Sequence, residues 1–330
     1  LNNDNNFEEN DMNTFGKIMA GGLAGAGLAA GITGIASAIL FSKTLPRPKG
    51  VDESIIEEFA DSAKMAEYAK KMEHIGVWAE NVSKEDINIK ARDGIKLHAF
   101  YIPAETPSKK LLILHHGYTS KAMDNASHAK FFHDMGYEVL LLDLRAHGES
   151  GGDYVGFGIL DRFDTLKWIE YAHERFGEDI KIVLHGTSMG ATTVLMALGL
   201  EKVQSSVSAV VADCAFTSPA EIFSHVMKKN YHIPLTSPII NMEGLYSKSV
   251  VGYRIDEYST LDALKNNEVP VLFVHGKEDK FVPTYMTEQN YNACTSRKQL
   301  LMVDNAGHGS SIFEAPELYQ YTEKEFLKDI

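Results

Sequence analysis

Ile180-Lys181-Ile182-Val183-Leu184-His185-Gly186-Thr187-Ser188-Met189-Gly190-Ala191 is the stretch on which the reading of this chain turns. Residues Ile180–His185 read as a strand, and a helix of small residues begins at Ala191. Between them Gly186-Thr187-Ser188-Met189-Gly190 fits G-x-S-x-G, the strand, sharp turn and helix that lift a serine hydroxyl clear of a sheet. The glycines have a steric task, because side chains two residues either side of the serine would collide with the adjacent strand and helix. A helix N-terminus behind the serine offers N–H groups to a developing negative charge.

Outward from this turn, short apolar runs alternate with helical ones. Strands are expected at Asp86–Lys90, Leu97–Ile102, Leu111–His115, Glu138–Asp143, Ala209–Asp213, Val271–His275 and Gln299–Val303. Arg92-Asp93-Gly94 joins the first two as a hairpin. The later runs are β-branched or leucine-rich, as in strands buried on both faces. Helices are expected near Asn125–Met135, Leu160–Arg175, Ala191–Leu200, Tyr285–Asn292 and Ala315–Lys328. The alternation predicts an α/β fold with a mostly parallel sheet of about eight strands, antiparallel at its start and covered on both faces.

A serine is a weak nucleophile without a base and a group to orient that base. The base is expected after the last strand, where Gly307-His308-Gly309 gives His308 room to swing toward a neighbouring strand end. The acid is expected at another strand's carboxyl end. Val271–His275 runs into Gly276-Lys277-Glu278-Asp279, and Asp279 is preferred over its neighbour Glu278 and the more distant Asp304. The oxyanion donors are expected to be the backbone N–H groups of Tyr118, in the loop after Leu111–His115, and of Met189. His116 is read as structural, with its ring bonded to nearby backbone.

Four stretches together carry a resemblance: His115-His116-Gly117-Tyr118, Asp143-Leu144-Arg145-Ala146-His147-Gly148-Glu149-Ser150, Gly186–Gly190, and Gly276 to Pro283 with Gly307-His308. From Asp86 to Ile330 the chain resembles the α/β-hydrolase superfamily, most of all bacterial esterase-like or peptidase-like serine hydrolases with an amino-terminal hydrophobic segment. One departure is Ala146, where the second stretch of such enzymes usually has glycine. The resemblance implies the α/β-hydrolase fold, Ser188 as nucleophile, His308 as base, Asp279 as orienter, and oxyanion donation by the residue after His116-Gly117. Members of that superfamily cleave esters, thioesters, amides and peptides, so the resemblance fixes the chemistry better than the substrate; a carboxylic ester hydrolase is expected, with a thioesterase or a peptidase or amidase using the same residues as alternatives, and the mechanism calls for no metal or cofactor. An acid at the elbow, as dehalogenases and epoxide hydrolases require, is replaced by Ser188.

Residues 217–269 form an excursion between two core strands, rich in aromatic residues and broken by Pro234 and Pro238. It reads as a modest lid whose aromatic content favours an apolar acyl or aromatic group in a small-molecule ester, thioester or amide. Cys214 reads as a buried small residue. With 32 basic and 45 acidic residues the net charge is −13, which argues against a nucleic-acid partner. A dinucleotide-binding reading of the glycines at 21–34 fails because no strand precedes them. A non-enzymatic binding protein is the remote alternative.

The amino end reads differently. Residues 1–17 form a polar leader. Ile18–Phe41 runs 24 residues without a charge and holds six glycines and seven alanines. That length predicts a membrane helix, with a packed small-residue helix and a signal peptide as alternatives. Lys43, Arg47 and Lys49 outweigh Lys17, which would put the domain of residues 85–330 on the cytoplasmic side; a soluble cytoplasmic or a secreted protein is the alternative. Residues 42–84 read as a linker with an amphipathic helix near Ser54–Trp78. Everything before residue 50 is expected to be separable from the catalytic body.

Overall fold

The structure, a computed structural model, describes residues 31–49, 66–68, 70 and 72–330. Among them an eight-stranded sheet runs through the body: β1 (Glu85–Lys90), β2 (Lys96–Ile102), β3 (Lys110–His115), β4 (Glu138–Asp143), β5 (Lys181–Thr187), β6 (Val207–Asp213), β7 (Val271–Gly276) and β8 (Lys298–Val303). The spatial order is β1-β2-β4-β3-β5-β6-β7-β8. β1 pairs antiparallel with β2, and β2 antiparallel with β4; every later pairing is parallel. The expected strands are met to within a few residues. β3, β4 and β7 are buried along most or all of their length, because helices cover both faces of a parallel sheet.

The helices, in chain order, are α1 (31–44), α2 (Glu73–Asn81), α3 (Ala126–Asp134), α4 (Asp161–Phe176), α5 (Met189–Ala197), α6 (Glu201–Ser206), α7 (Pro219–Asn230), α8 (Ser237–Val251), α9 (Thr260–Leu264), α10 (Thr284–Ala293), α11 (Ser311–Glu314) and α12 (Pro316–Leu327). Two apolar clusters flank the sheet. The larger gathers Leu184, Trp168, Val194 and Phe273; the other gathers Leu112, Phe132, Val274 and Tyr319. Helices α7, α8 and α9 make up the excursion at 217–269, and Pro219 and Pro238 lie in the first turns of α7 and α8, where proline's missing N–H costs nothing.

Residues 18–30 of the uncharged run, and most of Ser54–Trp78, lie outside the described residues. The run's last eleven residues begin α1, and α1 is fastened to the body. Ser37 is buried with its hydroxyl 2.9 Å from the Ile239 carbonyl of α8. The Phe41 ring meets Tyr246 edge-on at 4.7 Å. Leu45 is fully buried in the larger cluster, and its carbonyl accepts from Val155 N–H at 2.7 Å. Arg47 donates to the Ser150 carbonyl at 2.7 Å. Residues 31–49, expected to be separable from the catalytic body, bury apolar side chains in the same core. Among the described residues no helix is long and apolar enough to cross a membrane.

Candidate active site

The serine turn is strained in the way its sequence predicts. Ser188 has φ +56°, in the left-handed region, and its N–H donates to the Asp213 carbonyl at 2.8 Å. A Cβ at Gly186 would overlap the Gly190 carbonyl, and one at Gly190 would overlap the His115 carbonyl. Met189 then opens α5, so its N–H has no acceptor within the helix.

The loop after β8 brings His308 to this serine: Ser188 Oγ lies 2.8 Å from His308 Nε2. On the ring's other side, Nδ1–H donates to Asp279 Oδ2 at 2.7 Å. Asp279 is buried, and its second oxygen accepts from the backbone N–H groups of Phe281 at 2.8 Å and Val282 at 2.9 Å. The alternatives point elsewhere. Glu278 is exposed, and Asp304 pairs with Lys277 at 2.6 Å on the surface. Burial alone would push the Asp279 carboxyl up, but the imidazoles of His308 and His275 outweigh it and hold the group well below the usual carboxylate range. Burial likewise opposes charge on His308, and the Asp279 carboxylate more than offsets this, so the imidazole is pushed up.

Sequence reasoning missed His275. This penultimate residue of β7 is fully buried, and its Nε2 lies 3.0 Å from Asp279 Oδ2. Its Nδ1 sits 2.7 Å from Thr287 Oγ1 on α10, and the same Nε2 also lies 3.0 Å from the Val282 carbonyl. Asp279 thus has four N–H neighbours, two per oxygen. The signal was present, because β7 places alternate residues on one face, but nothing in one strand announces a partner on a loop four residues later. Cys214, expected as a buried small residue near the site just after the Val210–Asp213 strand, is buried with its sulfur within 4.8 Å of ligand atoms on Asp279 and His308. Burial pushes its thiol up to about 11, so it stays protonated.

Tyr118 follows Gly117, whose α-carbon sits against Ser188: a Cβ there would meet the serine Cβ at 3.5 Å. Two buried histidines brace this loop. His116 Nδ1–H donates to the Gly117 carbonyl at 2.7 Å while Nε2 accepts from Leu144 N–H at 3.0 Å. His147 Nε2 accepts from Thr119 N–H at 3.3 Å. Burial lowers both pKa values to about 4 and keeps both rings neutral. The structural reading of His116 matches this geometry. Ala146, the departure noted in the sequence, has φ +59°, in the left-handed region that favours glycine. The mouth is aromatic: the Tyr118 ring stacks on Phe157 at 5.3 Å, Phe223 of α7 meets Phe157 at 5.1 Å, and Phe281 meets His308 at 5.0 Å.

A family model of the alpha/beta hydrolase fold matches residues 110–233, the segment that carries β3, the serine turn and the first excursion helix. The esterase Pf2001 of Pyrococcus furiosus is 25% identical, covers 78% of this chain and 95% of its own, and superposes with a TM-score of 0.62. The chain has the α/β-hydrolase fold. This hydrolase is 29% identical to YqkD, an uncharacterized protein of Bacillus subtilis, over 95% of its own length and 97% of YqkD. It is 23% identical to YNL320W, an uncharacterized membrane protein of Saccharomyces cerevisiae, over 72% of this chain and 77% of that one. The α/β-hydrolase likeness extends beyond the serine turn, since the Pf2001 match takes in most of the described body.

Proposed function

We propose that this hydrolase is a serine carboxylesterase acting on small to medium esters with an apolar acyl or aromatic part. The observation that carries the reading is the unbroken line Ser188–His308–Asp279, with contacts of 2.8 and 2.7 Å. His308 Nε2 takes the Ser188 proton as Oγ bonds to the ester carbonyl carbon, and the carbonyl electron pair moves onto oxygen. The N–H groups of Met189 and Tyr118 receive that oxyanion. Asp279 holds the imidazole in the Nδ1–H tautomer and stabilises its charged form. Collapse of the intermediate breaks the bond to the alcohol oxygen, which leaves with the proton from Nε2. Water, deprotonated by the same nitrogen, then releases the acid from Ser188.

The aromatic ring set of Tyr118, Phe157 and Phe223 supports the apolar substrate class. The same residues would cleave a thioester or an amide, so the substrate panel includes both. The test is covalent labelling by a fluorophosphonate, followed by rates on alkyl and aryl esters, thioesters and peptide amides. Wild type takes the label and turns over esters fastest. Ser188→Ala keeps the circular dichroism spectrum, loses the label, and falls by roughly 10³-fold or more in turnover. Full labelling of folded Ser188→Ala would falsify the assignment.

A further inference from the structure

Of the thirteen large apolar side chains that the described residues leave exposed, nine lie on α1 and on residues 231–250. The two helices run side by side, since Ser37 meets Ile239 and Phe41 meets Tyr246. Each buries one face on the body and turns the other outward. Ile32, Ile35 and Ile39 make the stripe on α1, between 56 and 66% exposed. Leu235, Leu245 and Val250 continue it across the excursion, between 43 and 69% exposed. A soluble monomer rarely leaves a contiguous face like this uncovered.

Two further observations name what covers it. The first is charge. The chain as a whole has 32 basic and 45 acidic residues, yet residues 31–49 and 219–252 together hold six basic residues, Lys43, Arg47, Lys49, Lys228, Lys229 and Lys248, against two acids, Glu221 and the buried Glu243; Lys248 also pairs with Glu257 at 3.6 Å. An apolar face with a basic rim on an acidic protein matches an anionic lipid surface. The second is continuity: α1 carries the last residues of the uncharged run Ile18–Phe41, so the exposed stripe Ile32, Ile35 and Ile39 belongs to a longer apolar stretch of the sequence.

We propose that α1 and α8 form one face that docks flat on an anionic bilayer surface and presents the active site to an acyl ester held in that bilayer. The substrate half of this statement rests on the esterase reading; the docking half does not. Helix α7, joined to α8 across 231–236, supplies Phe223 to the aromatic set beside the site, so one excursion contributes to both the docked face and the site.

The test uses the full chain and vesicles of phosphatidylcholine with phosphatidylglycerol. Bimane is attached to Leu245→Cys on the face, and to Leu318→Cys on α12, which packs on the other side of the sheet. The native cysteines are both buried and stay out of the reaction. Brominated lipid is expected to quench the probe at 245 and not at 318, with quenching reduced in high salt. Leu245→Glu with Val250→Glu is expected to slow hydrolysis of a vesicle-borne ester by about tenfold while a water-soluble aryl ester changes by less than about twofold. Three results overturn the proposal: vesicle-bound protein whose probe at 245 is unquenched, which leaves binding to residues 1–30 alone; a lipid-free dimer that shields the probe; or a lipid-free monomer that already shields it. Fluorophosphonate labelling of the same samples separates the two readings. Quenching without labelling sinks the serine esterase and leaves the docking face; labelling without quenching does the reverse.

Discussion

At Asp279 four N–H groups converge on one carboxylate, and their removal has unequal consequences. Asp279→Asn is expected to cost roughly 10⁴-fold in turnover, because an amide favours the wrong imidazole tautomer. It also removes the anion that raises His308, so the acid limb of kcat/KM moves to lower pH. Glu278→Gln changes neither quantity, since that side chain is exposed. For His275 the two readouts diverge. His275→Leu leaves one Asp279 oxygen with a single donor, so more negative charge faces His308 and the acid limb moves up. Looser positioning lowers kcat by about tenfold. His275→Gln, whose amide nitrogen reaches the same place, recovers most of both. A His275→Leu enzyme with an unchanged pH profile and unchanged kcat would remove His275 from the positioning of the triad.

Among the elements, α8 carries a buried carboxyl at odds with its packing. Its Glu243 is fully buried, neither carboxyl oxygen has a hydrogen-bond partner among the described residues, and burial, helped by nearby Asp256, pushes its pKa up to about 7. A carboxyl raised in the folded state costs stability as pH climbs from its ordinary range near 4.3 to about 7, and the full cost is in place above that. Glu243→Gln is therefore expected to melt a few degrees above wild type at pH 8 and level with it near pH 5. Scanning calorimetry at both values checks this, and an equal gap at both would exclude the titration as its cause. The excursion was legible in its proline and aromatic content, and α7 even in its cap: Ser218 accepts from Glu221 N–H at 3.1 Å ahead of Pro219. Helix α6 was not legible, because Glu201–Ser206 is short and has no apolar stripe; it forms as a bridge from α5 into β6.

For the whole molecule the amino-terminal run matters where it touches the body, which among the described residues is from Ala36 and Ser37 onward. Removing residues 1–30 is expected to leave soluble-ester turnover within about threefold of the full chain. Removing 1–49 takes away Leu45 and Phe41, each worth about 2–3 kcal/mol of burial, and the Thr44 carbonyl that accepts from Tyr118 Oη at 3.1 Å. That truncation is expected to lower the melting temperature by roughly 5 °C or more and to lower kcat, because the Tyr118 loop loses a support. Equal stability of the two truncations would show 31–49 to be a dispensable appendage.

Local chemistry settled much of this protein before any coordinate. Period-two and leucine-rich runs determine strands wherever burial on both faces leaves no other use for them, and G-x-S-x-G between a strand and a small-residue helix admits few conformations, so the eight strands and the position of Ser188 could be read from the sequence. Asp279 could be ranked above Glu278 only by its place beyond a strand end. Which of the two carboxylates turns inward depends on where the loop's own Phe281 and Val282 N–H groups point, and that is set by packing. His275 and Cys214 meet Asp279 only through sheet register and crossover. The packing of the run's described end, residues 36–41, turned on tertiary structure for the same reason: apolar residues are driven out of water alike by lipid and by a protein core, and the partner, here α8 and Tyr154, lies more than 100 residues away in the chain.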